Sequence, residues 1–189
     1  MFRISIIVGL FLAVIIITVD FFLTRKKSPR TYISPKGNRW IRLLTILSYL
    51  AAGLFFILTA ISAFFHRLIF GQAMTGYLMV LHLIVGMVFF TATVAAVLLT
   101  ANRHVFTIDD CEKAVRLPDK ICFWGIFVAA LTMSAAILLC MMRIFNSEIH
   151  KILVTIHQYC AIILTILVIY YAYRRLRMKL SSAKDAKAT

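Results

Sequence analysis

Five histidines and four cysteines are the residues of this 189-residue chain best suited to metal, redox or proton chemistry. The cysteines, Cys111, Cys122, Cys140 and Cys160, form no C-x-x-C or C-x-x-C-H pattern. Zinc ribbons, thioredoxin-type exchange and covalently attached c-type haem therefore lack their signatures, and the cysteines read as small buried hydrophobes. The histidines differ in setting. His66, His104 and His150 border charged or turn-forming stretches, whereas His82 and His157 stand inside long apolar runs, as Leu81-His82-Leu83-Ile84-Val85-Gly86 and Ile156-His157-Gln158-Tyr159-Cys160-Ala161. An ionisable side chain in such a run is costly to keep there and by default marks a function; the plainer alternative is an interhelical hydrogen bond.

Composition defines the elements that must position these residues. The chain is 62% hydrophobic and 15% charged, with a mean hydropathy of +0.95. A soluble domain is about 45–50% apolar and roughly a quarter charged, so a water-soluble globule and a disordered chain are both excluded. Residues 4–23, 41–64, 77–99, 121–142 and 152–173 each supply the run of about 20 apolar residues that crosses a bilayer. None has Lys, Arg or Glu in its middle. The pattern implies an all-α integral membrane protein with five spans. Residues 1–37 form an N-terminal transmembrane anchor and a basic linker, residues 38–178 a four-helix transmembrane domain, and residues 179–189 a tail. Pro29, Pro35 and Gly37 break helix between the first two parts. Span 1 lacks a small-residue cleavage site, and Arg25-Lys26-Lys27 follows it rather than precedes it, so it is expected to be retained.

The formal net charge of +14 would suggest nucleic acid in a soluble protein. Here it sorts by topology. If five helices alternate, 17 of the 21 Lys and Arg fall on one face, in segments 25–42, 103–120 and 174–187. Arg3, Arg67, Arg143 and Lys151 fall on the other. The positive-inside rule then puts the N-terminus outside and the C-terminus in the cytoplasm, and the charge calls for no nucleic-acid partner.

In this topology spans 3 and 5 both run inward, and His82 and His157 each lie about five residues in, roughly 7–8 Å below the outer boundary. Two imidazoles at matched depth on parallel helices meet the needs of a six-coordinate haem iron. Gly86 and Ala161 follow one turn deeper on the same faces, where small side chains leave room for a porphyrin edge. His82 and His157 are thus the expected axial ligands of one haem b. Arg67 and Lys151 are candidate partners for its propionates, or snorkelling anchors. His66 and His150, also on the outer side, are a candidate second haem site, quinone contact or proton relay, with plain interfacial solvation as the alternative. His104 reads as solvated.

Residues 38–177 resemble the four-helix b-type cytochrome subunits of respiratory formate dehydrogenases, nickel-iron hydrogenases and related bacterial cytochrome b561-type proteins. The resemblance rests on His82 in L-H-x-x-x-G, His157 in I-H-Q-Y-C-A, and Arg39-Trp40-Ile41-Arg42 at the opening of the first core helix. It implies haem iron, exchange with a quinone, and periplasmic or membrane redox subunits of a respiratory chain. That family commonly holds two haems. In this chain Trp40, Tyr170 and Tyr171 stand in the regions where the inner histidines would fall, which leaves one haem near the outer face. The expected role is an electron-transfer subunit rather than a stand-alone enzyme; the alternative from another class is a cofactor-free structural or assembly subunit.

Overall fold

Long apolar runs with few breakers satisfy their backbone hydrogen bonds internally, and the chain accordingly folds as helix. The computed structural model describes residues 2–24, 39–72, 74–105, 117–142 and 144–188, with side chains at 3, 22–24, 103 and 178–188 excepted. The linker with Arg25-Lys26-Lys27, Pro29, Pro35 and Gly37, and also Cys111 and Arg143, lies outside the described residues. Among the described residues five α-helices follow in order: α1 (Phe2–Thr24), α2 (Arg39–Phe70), α3 (Gly76–Thr100), α4 (Leu117–Met141) and α5 (Ser147–Ala188), with a 3-10 turn at Ala101–Arg103. All five are long and apolar enough to cross a membrane.

Two helices outrun the apolar stretches that announced them, because a helix ends where its backbone is capped rather than at the first charge. α2 continues through His66 and Arg67 until Gly71, whose positive φ of 71° lets its N–H turn back to the Arg67 carbonyl at 3.2 Å. α5 begins at Ser147, where Asn146 Oδ1 accepts the Ile149 N–H at 3.0 Å as an N-cap. His150 is thereby brought onto the first turn of α5.

The helices pair as two hairpins. α2 lies along α3 and α4 along α5, α3 joins them through α4, and α1 lies against α5 with a smaller contact to α2. Phe89, Ala129, Ala130 and Leu164 form the buried core, with Phe55, Phe56, Ile126, Met133 and Val168 packed around it. Buried hydroxyls of Thr93, Thr100 and Thr165 donate to carbonyls four residues back at 2.9, 2.6 and 2.7 Å, so none is stranded among apolar side chains. Large apolar residues such as Leu47, Leu50, Phe65 and Leu98 face outward, as lipid-facing positions do.

The helix expected to be a separate anchor is docked. Ile6 and Ala13 of α1 are buried, and Gly9 between them lets α1 approach α5 so closely that a Cβ there would lie 2.6 Å from Ile162 Cγ2. Ile162 is itself buried and, being β-branched, stiff in a helix, so it cannot swing aside. Gly9→Leu is therefore expected to unseat α1 from α5, destabilising the fold by about 1–3 kcal/mol. A lowered thermal unfolding midpoint in detergent micelles would register this, and an unchanged midpoint would contradict the docking.

Burial is uneven along the bundle. On α3 no described residue before Phe89 is buried, and on α5 none before Ile162; beyond those points both helices carry several. The loosely packed half is the one that holds His82 and His157.

Candidate histidine site

His82 precedes Phe89 on α3 by seven residues, and His157 precedes Leu164 on α5 by the same number. Phe89 and Leu164 meet in one core cluster. Both histidines therefore stand two helical turns, roughly 10 Å, from a common layer and on the same side of it.

The partners of each ring decide its tautomer. His157 Nδ1 lies 3.1 Å from the Met133 carbonyl oxygen, which can only accept, so Nδ1 carries the proton. His82 Nδ1 lies 2.9 Å from Ser62 Oγ. The Ser62 hydroxyl also lies 2.9 Å from the Thr59 carbonyl: with its one proton on that carbonyl it accepts from His82 Nδ1, and with the proton on the ring it donates. His157 is thus held in the Nδ1–H form with a lone pair on Nε2, and His82 shares that form when the Ser62 proton stays on Thr59. Metal-ligating histidines are held in this way, with one nitrogen on a fixed acceptor and the other facing the metal.

One turn deeper than each ring stands a small residue, Gly86 on α3 and Ala161 on α5. A Cβ added at Gly86 would meet only Thr59 Cγ2 at 3.8 Å, an ordinary contact, so helix packing does not itself require a glycine there. Ala161 is half-buried one turn below His157. Among the described residues no group of three or more His, Cys, Asp or Glu converges on a metal position. A metal held by these two imidazoles would have to bring its remaining ligands with it, as porphyrin iron does.

The other candidates are engaged elsewhere. His150 Nε2 lies 2.8 Å from the Cys140 carbonyl and Nδ1 lies 3.1 Å from the Asn146 carbonyl, so its ring ties the end of α4 to the start of α5. Both ring nitrogens of His150 are taken up by carbonyl contacts, so the ring serves here as a tie between α4 and α5 rather than as a presented ligand. His66 Nδ1 meets the Gln72 carbonyl at 3.3 Å, and its ring lies 5.1 Å from that of Phe70. The Arg67 guanidinium sits 5.9 Å from the centre of the Phe2 ring, at the contact of α1 with α2. Lys151 pairs with Glu148 at 2.8 Å on an exposed face.

A second polar cluster, at the opposite end, was hidden among charges counted for topology. Arg174 is 9% exposed; its Nε donates to Asp119 Oδ1 at 2.6 Å and its Nη1 to Asp20 Oδ1 at 3.3 Å. Arg177 Nη1 reaches Asp20 Oδ2 at 3.4 Å, and the Tyr170 hydroxyl donates to Asp20 Oδ1 at 3.1 Å. These contacts bind α1, α4 and α5 together. The available signal was scarcity: Asp20 and Asp119 are two of only seven acids, and each sits at the end of an apolar run. His104, expected in solvent, is buried instead; its ring stacks on Phe123 at 3.9 Å and its carbonyl accepts from Trp124 Nε1 at 3.0 Å.

No protein-family model matches the chain, and no curated protein or solved structure matches it significantly.

Proposed function

We propose that the chain is a membrane b-type cytochrome that holds one haem between His82 and His157 and exchanges electrons between the quinone pool and a redox subunit at the outer face. The observation that supports this is a pair of imidazoles two turns from one core layer, each with Nδ1 on a hydrogen-bond partner and Nε2 left to face a ligand. In this reading His82 and His157 supply the two axial lone pairs, while Ser62 Oγ and the Met133 carbonyl keep the rings oriented. Gly86 and Ala161 leave room beside them, and the apolar side chains above Phe89 and Leu164, unburied in the protein alone, would gain cover. Bound haem supplies a one-electron couple whose potential depends on its ligands, burial and neighbouring charge.

The five helices are read as spans of a bacterial inner membrane. Seventeen of the 21 basic residues belong to the connections and tail that alternation of five spans would put opposite the histidine end, which favours an outward histidine end with the C-terminus in the cytoplasm. Exchange near that face needs an external donor or acceptor, taken to be a periplasmic or membrane redox subunit. The test is the haem content of the purified chain. One haem b per chain with a low-spin, bis-histidine spectrum is expected, and a colourless protein would overturn the proposal.

A further inference from the structure

The structure assigns Ser62 as a positioning residue that fixes the tautomer of His82 and so keeps its Nε2 lone pair available to a ligand; the consequence for iron rests on the haem reading above, whereas the tautomer rests on geometry alone. A neutral imidazole holds one proton and can place it on either nitrogen; the hydrogen bond made by one nitrogen decides what the other can do. For His157 the deciding acceptor is a backbone carbonyl, that of Met133, which no substitution removes. For His82 the acceptor is a side chain. The assignment puts the one Ser62 proton on the Thr59 carbonyl at 2.9 Å, where a serine in a helix commonly directs it, so that Ser62 accepts from His82 Nδ1 at 2.9 Å. The Thr59 hydroxyl donates in turn to the Phe55 carbonyl, so the short run from Phe55 to Ser62 on α2 is hydrogen-bonded in one direction.

Without Ser62 Oγ, the Nδ1–H of His82 faces α2 with no acceptor. The ring then moves its proton to Nε2, which removes the lone pair there. That change weakens ligation at His82 and leaves His157 unaltered. Loss of such an outer partner commonly weakens metal affinity about 10- to 100-fold. It also makes the imidazole a poorer electron donor, which favours reduced over oxidised iron and raises the midpoint potential.

The experiment uses the full chain in detergent, with and without haem. Nitrogen-15 NMR of the haem-free, histidine-labelled protein, at a pH where imidazoles are neutral, should show His82 and His157 both protonated on Nδ1. In Ser62→Ala, His82 should shift to the Nε2–H form while His157 keeps its signal, and Ser62→Thr, which restores a hydroxyl, should recover the original pattern. In the loaded protein, Ser62→Ala should release haem to a scavenging apoprotein about 10- to 100-fold faster and titrate at a higher midpoint, with Ser62→Thr close to the parent. His82 remaining protonated on Nδ1 in Ser62→Ala, or Ser62→Thr behaving like Ser62→Ala, would overturn the assignment. A chain that takes up no haem would overturn the consequence for iron, and the NMR arm would still decide the tautomer.

Discussion

His82→Ala is expected to give a folded, full-length protein that no longer retains low-spin haem. In the proposed reading His82 is an axial ligand, and removing it must cost more than removing a hydrogen bond to it, which alone is worth about 10- to 100-fold in metal affinity. The fold should survive because the change strands little. Ser62 keeps its donation to the Thr59 carbonyl and loses only a donor to its oxygen, a matter of about 1 kcal/mol. His82 also lies in the half of the bundle where α3 carries no buried residue. Loss of the reduced-minus-oxidised bands with an unchanged helical circular dichroism spectrum is the expected outcome, and His157→Ala should match it. His150→Ala is the informative control. Both its ring nitrogens already face carbonyls, so its substitution should leave the haem bands in place. A His82→Ala protein with full haem and unaltered bands would remove the ligand assignment.

Arg174→Met should be the most destabilising single change at the other end of the bundle, costing about 3–5 kcal/mol. Methionine approximates the length of the arginine stem but leaves Asp119 without the guanidinium that meets it at 2.6 Å. Asp20 is less affected, since Arg177 and Tyr170 still reach it. Arg174→Lys should rescue poorly, because one ammonium cannot reproduce the two-directional contact of Nε with Asp119 and Nη1 with Asp20. Adding Asp119→Asn to Arg174→Met should recover much of the loss, because breaking a buried pair costs far more than removing both of its charges. Thermal unfolding in micelles measures all three variants. A near-parental midpoint for Arg174→Met would show that this cluster does not hold α1, α4 and α5 together.

The five helices were legible in the sequence because each is a local fact: about 20 apolar residues without a charge in the middle. The equal depth expected of His82 and His157 was counted from the starts of two apolar runs. α5 starts earlier, at Ser147, and the two rings are instead related by their equal seven-residue offsets from Phe89 and Leu164. What depended on tertiary contact was not legible. Nothing in the run around Gly9 distinguishes a helix that anchors from one that docks; the difference is a 2.6 Å approach to Ile162, 153 residues away in the chain. Arg174 looked like one more basic flank, and its burial shows only once Asp20 and Asp119 arrive from α1 and α4. Ser62 is a small polar residue between Ile61 and Ala63, and it gains meaning from a ring 20 residues later. His104 was misjudged because adjacency to charge was read as exposure, while Phe123 and Trp124 enclose it from α4.

Haem stoichiometry combined with an optical redox titration of the purified chain tests the central claim most directly. One haem b per chain, reduced in a single one-electron wave with low-spin bis-imidazole bands, is the predicted result. A colourless chain, or a pentacoordinate high-spin haem, would contradict the pairing of His82 with His157.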